Sequence, residues 1–100
     1  MTLPNGYVMK TTFFEDFSIA DVFGIRAVRD TFSSAFRSWK DNIEYVTELA
    51  VTLNLKCWEH YEKGNEKLSE LYSGYFYKVQ DYVYDHFDGK DIEHYFKVTD

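Results

Sequence analysis

Apolar positions recur at steps of three and four along most of this chain. The clearest run is 25–40, where Ile25, Val28, Phe32, Ala35, Phe36 and Trp39 share one side. Arg26, Asp30, Ser33 and Arg37 fall on the other side, flanked by Arg29 and Lys40, so the pattern predicts a helix with a basic outer face. The next run, 43–61, has two apolar sides. At about 100° per residue, Ile43, Val46, Leu49, Ala50, Leu53, Cys57 and Tyr61 line one side, and Val51, Leu55 and Trp58 form a strip on the opposite one. Such a helix needs two partners, either as the middle of a bundle or as the contact face of an assembly. Asp41 with Glu44 three residues on predicts an N-cap and a capping box. The alternative is a bend at 39–43 within one longer helix.

After Gly64 and Asn65, which suit a helix end and the following N-cap, a third amphipathic run covers 66–87. Leu68, Leu71, Tyr72, Tyr75, Val79, Tyr82, Val83 and His86 form its inner side. Glu70, Gly74, Tyr77, Asp81, Tyr84 and Asp88 form its outer side, and Gly89 is expected to end it. A last turn is expected at 91–96, with Ile92, Tyr95 and Phe96 folding back. At the other end, residues 1–11 hold Pro4 and Gly6 and show no period, which predicts a flexible N-terminal tail, mobile or extended. Thr12 with Glu15, and more weakly Ser18 with Asp21, are capping-box patterns. Phe13, Phe14, Phe17, Ile19, Ala20, Val22 and Phe23 then predict one helix, or two with a break at Ser18, ending at Gly24.

The expected fold is all-α: a compact helical bundle of three main helices with short additional helices near both ends, residues 12–100 forming one domain. A hydrophobic share of 45% suits a single core, and an aromatic share of 20%, mostly Tyr and Phe, supplies large packing groups for it. Cys57 is the only cysteine, which excludes an intramolecular disulfide and a Cys-based zinc site within one chain. No apolar run approaches a membrane span, and residues 1–11 lack the charged and apolar regions of a signal peptide, so the expected location is cytoplasmic.

The net charge of -6 argues against direct, nonspecific binding to nucleic acid. That charge is uneven. Up to Lys40, five basic residues face four acids; from Asp41 onward, six basic residues face thirteen acids.

Candidate chemistry is sparse. Asp85, His86, Asp88, Asp91, Glu93 and His94 cluster in sequence, but neither a calcium-loop pattern nor a His-Glu-x-x-His motif is present, and neither a metal nor a cofactor is predicted. Ser18, Ser33, Ser34 and Ser38 sit in no strand-turn-helix elbow, and no Gly-rich phosphate loop occurs. A non-enzymatic protein with no catalytic residues is the expectation.

Two surface features remain. Glu70, Tyr77, Asp81, Tyr84 and Asp88 form a stripe whose repeated carboxylates approximate the charge of a phosphate backbone, and whose tyrosines suit a protein partner. Val51, Leu55 and Trp58, bordered by Glu44, Glu48, Glu59 and Glu62, form a self-association surface if the ends of the chain leave them open, giving a homodimer.

The run TFFEDFSIADVFGIRAVRDTF at 12–32, with Ala35-Phe36, Trp39-Lys40, Tyr45, Thr47-Glu48-Leu49, Leu53-Asn54 and Trp58-Glu59, resembles small accessory proteins of conjugative transposons in Gram-positive bacteria. Residues 1–11 fall outside the resemblance, which carries no site residues of its own. It implies a mobile-element setting, in which small acidic proteins blunt host defences. The expected function is that of an accessory protein that binds a macromolecule, as an acidic inhibitor of a host nucleic-acid-processing or defence protein. The competing expectation is a self-associating structural module.

Overall fold

Five helices, all linked by short turns, make up the described part of a computed structural model, which comprises Gly6 and residues 8–96, with side chains described as far as Glu93. They are α1 (Phe13–Phe23), α2 (Ile25–Trp39), α3 (Ile43–Glu62), α4 (Glu66–His86) and α5 (Gly89–Phe96). The all-α class is therefore observed, and α1 runs unbroken through Ser18, whose Oγ donates to the Phe14 carbonyl at 2.8 Å.

A single residue separates α1 from α2. Gly24 has φ 111° and ψ -172°, its N–H donates to the Ala20 carbonyl and its own carbonyl accepts from Val28. One residue thus closes one helix and opens the next, in a conformation that side chains with a Cβ rarely adopt. Residues 40–42 then interrupt the chain between α2 and α3, so these are separate helices.

The N-cap of α3 is Asn42 rather than the expected Asp41. Its side chain accepts from the Tyr45 amide at 3.1 Å, while Asp41 accepts from Tyr82 Oη at 3.0 Å. A Schellman arrangement closes α3: Gly64, with φ 79°, donates to the Tyr61 carbonyl and Asn65 donates to the His60 carbonyl.

Helix α3 is the middle of the bundle and touches each of the other four. One of its sides, carrying Val46, Leu49, Ala50 and Leu53, belongs to the buried core with Tyr72, Val79 and Val83 of α4. Each such large apolar side chain contributes about 1.5–3 kcal/mol on burial. Phe17 of α1 meets Tyr72 edge-on at 5.5 Å, and Phe32 of α2 stacks on Tyr75 at 4.0 Å. The other buried side is not the apolar strip expected from the sequence. It is polar, a ridge of Glu48, Thr52, Lys56 and His60 at four-residue spacing.

That ridge also meets part of the segment expected to be a tail. Met9 is buried, and Glu48 accepts the Lys10 and Thr11 amides and the Thr11 hydroxyl at 2.8–3.1 Å. Lys10 Nζ further pairs with Glu44. Residues 9–11 are thus packed and hydrogen-bonded; residues 1–5 and 7 lie outside the described residues.

The far end differs from expectation. Helix α4 stops at His86, Phe87 turns extended, and Gly89 begins α5 instead of ending α4. Asp88 caps α5, its carboxylate accepting the Lys90 amide at 2.8 Å. His86 is exposed rather than part of the core. Ile92 is buried as expected, whereas the side chains of His94, Tyr95 and Phe96 lie outside the described residues.

Candidate functional site

The outer face of α4 follows from its inner one. With Ser69, Tyr72, Val79 and Val83 buried, helical geometry turns Glu70, Gly74, Tyr77, Asp81 and Tyr84 outward, and all five are exposed. Tyr77 and Tyr84 keep 59% and 56% of their surface. At 1.5 Å per residue, Glu70 to Tyr84 spans about 21 Å of rigid helix. Four of the five stripe residues expected from the sequence therefore share one surface. Asp88 is exposed too, but it lies beyond the end of α4 as the cap of α5.

The second surface expected from the sequence is only partly open. Val51 and Leu55 are half-buried, while Trp58 is 57% exposed. Trp58 packs edge-on against Tyr61 at 5.6 Å, and Tyr61 is itself exposed instead of lying on the core side.

A third feature, the buried end of the polar ridge, was not singled out in the sequence. Lys56, 2% exposed, sends its ammonium to Asp21 Oδ2 at 2.7 Å, Glu59 Oε2 at 2.5 Å and Ser18 Oγ at 3.2 Å. An ammonium has three hydrogens, so all are used. The ammonium also lies 5.1 Å from the centre of the Phe14 ring.

Asp21 collects two more donors, Tyr72 Oη on Oδ1 at 2.5 Å and His60 Nε2 on Oδ2 at 2.9 Å. Asn65 Nδ2 lies 3.3 Å from His60 Nδ1, and an amide nitrogen only donates. In that arrangement Nδ1 accepts, leaving the hydrogen on Nε2 for Asp21. The Schellman turn therefore holds both His60 and the amide that orients its ring.

The electrostatics follow from these contacts. Burial pushes the Asp21 carboxyl up, but the donors from Lys56, Tyr72 and His60 outweigh it and hold the group below its ordinary range. Glu59 is also lowered, burial again being overcome by Lys56 and Lys63. The Tyr72 hydroxyl moves up, first through burial and then through its bond to Asp21.

Asp21, Glu59 and His60 have the donor atoms of a metal site, all within 4.8 Å. The Lys56 ammonium stands among them, however, and already takes the carboxylate charge a divalent ion would use. With Tyr72 fully buried and the donors paired, the cluster's evident work is to hold α1 against α3 and α4.

Comparison of the chain with family models, curated proteins and solved structures found no match. No helix among the described residues is long and apolar enough to cross a membrane.

Proposed function

We propose that this is a non-enzymatic binding protein that presents the outer face of α4 to a protein that handles nucleic acid, as an acidic inhibitor serving a mobile element. The observation that carries the reading is the pair of exposed tyrosines, Tyr77 and Tyr84, interleaved with the carboxylates of Glu70 and Asp81 along one rigid face. Carboxylates alone would be accounted for by solvation. Large exposed rings between them are not required for that and suit the centre of an interface. Asp88 extends the acidic surface from the start of α5. A grip on phosphate is salt-sensitive, and so is a grip on its imitation.

The test is capture from a Gram-positive host lysate by the parent protein and by an Asp81→Lys/Asp88→Lys variant, with duplex DNA as competitor. A nucleic-acid-handling protein retained by the parent, released by DNA and by rising salt, and not retained by the variant, supports the proposal. Equal retention by both proteins rejects this face.

A second reading, a homodimer through Trp58 with Val51 and Leu55, is favoured by the exposure of the Trp58–Tyr61 aromatic pair. Light scattering that finds a dimer for the parent and a monomer for Trp58→Ala supports it. A monomeric parent removes it.

A further inference from the structure

The lysines that hold this fold together are paired: Lys10 with Glu44, Lys56 with Asp21 and Glu59, and Lys63 with Glu59. Arg37, Lys40 and Lys78 are different. Among the described residues none of the three makes an ion pair or a side-chain hydrogen bond, yet all three line one cleft of about 560 Å³ between α2 and α4. Arg37 and Lys40 sit at the C-terminal end of α2, where the helix dipole favours cations. Lys78 is in the middle of α4, away from a helix end, and its ammonium lies over the Phe32 ring, 5.8 Å from its centre. Asp85 is the one acid lining the cleft. Three cations thus line one cleft in a protein whose net charge is -6, with Asp85 in the lining and the Asp41 carboxylate held on the Tyr82 hydroxyl beside it.

The wall beside them is aromatic and already ordered. Phe36 meets Tyr82 edge-on at 5.2 Å, and Tyr82 stacks on the His86 ring at 3.9 Å. His86 is exposed, but its Nδ1 also donates to the Tyr82 carbonyl at 2.9 Å. A backbone bond and a ring stack thus orient an imidazole at the cleft, and its Nε2 has no partner among the described residues. The cleft volume falls in the range of small-molecule sites, about 300–1,000 Å³. Unpaired cations beside a rigid aromatic wall are complementary to a ligand that carries an anionic group on a flat ring system.

We propose that this cleft binds a small phosphate-bearing aromatic ligand of the mononucleotide class. Arg37, Lys40 and Lys78 take the phosphate, and the Phe36, Tyr82 and His86 wall takes the base. The cleft adjoins the outer face of α4, Lys78 and Asp85 being neighbours of Tyr77 and Tyr84 on the helix, but the proposal does not depend on that face binding a protein.

Amide chemical-shift titration of the full chain with adenosine monophosphate tests it, with inorganic phosphate and adenosine titrated alone for comparison. The expected result is saturable shifts at residues 36–40, 78, 82 and 86, with affinity for the nucleotide at least about tenfold above that for either fragment. An Arg37→Glu/Lys78→Glu variant, altered only at exposed positions and checked for an unchanged helical spectrum, should lose at least about tenfold in affinity. Absence of shifts in the lining at about 10 mM nucleotide, equal affinity for phosphate alone, or binding unaffected by the variant would overturn the proposal. So would shifts produced there by an acidic peptide and not by the nucleotide.

Discussion

Replacing Lys56 by methionine removes a charge that is almost wholly out of water while keeping an unbranched side chain only one atom shorter. Asp21 and Glu59 then lose their common counter-ion and Ser18 loses a donor. Deleting one partner of a buried ion pair costs about 3–5 kcal/mol, mostly for the charge left behind. The lower end applies here. Asp21 keeps Tyr72 and His60 as donors, and Glu59, with a third of its side chain exposed, keeps water and Lys63. About 3 kcal/mol in a domain of this size corresponds to a fall in Tm of about 12 °C or more.

The loss should depend on pH in a definite direction. In the parent, Lys56 is the foremost of the groups that overcome burial and lower the Asp21 carboxyl. Without it, burial is opposed only by Tyr72 and His60, and protonation of Asp21 relieves the variant. Thermal melts followed by circular dichroism should therefore show the gap between variant and parent narrowing as pH falls toward about 4. The Asp21→Asn/Lys56→Met double variant, which removes the stranded carboxylate as well, should be more stable at neutral pH than Lys56→Met alone. A Tm for Lys56→Met within about 3 °C of the parent, when 1 kcal/mol alone shifts it by more, would refute the reasoning. A gap that does not change with pH would refute the charge argument.

Other perturbations test other parts of the fold. Glu48→Ala strands the Lys10 and Thr11 amides and should cost about 1.5–3 kcal/mol, with faster hydrogen exchange at those two amides; unchanged exchange would show that Glu48 does not hold the segment. Gly24→Ala meets no atom within 4 Å, so its cost is backbone strain alone. That cost is about 1–3 kcal/mol, measured by urea unfolding, and an unchanged midpoint would contradict the strain. In the parent, Asp21 and Glu59 titrate below their ordinary range, so their contribution is present above the unfolded carboxylate value and lost as pH falls through the folded one. Urea midpoints should thus be level from about pH 5 to 7 and fall below about pH 4, less steeply in Asp21→Asn; an equal fall in both would assign the acid sensitivity elsewhere.

Much of the α4 face was legible because it depends on one helix only. Once Tyr72, Val79 and Val83 face inward, the exposure of Tyr77, Asp81 and Tyr84 follows from the helical period. Asp88 was misplaced because the end of a helix is set by a competing local bond, here its own carboxylate to the Lys90 amide, and not by period. The Lys56 cluster left one trace, the four-residue spacing of Glu48, Thr52, Lys56 and His60 between two apolar sides of α3. Such a ridge reads equally well as a solvated face, since nothing local says what will cover it.

What the sequence determined by itself were the helices and their apolar sides, along with the breaks at Gly24 and Gly64. These are short-range properties of side-chain spacing and of the backbone freedom of glycine. Only the tertiary structure decided which polar groups go inside and which apolar ones stay out. Asp21 meets Tyr72 across 51 positions of sequence, and Lys10 and Thr11 meet Glu48 across 38 and 37. Ile19, Val22 and Phe23 remain exposed on α1 while Lys56 is buried beneath it. Burial is decided by what packs against a residue, and a charge is taken from water where the partners that satisfy it are brought together by the whole fold.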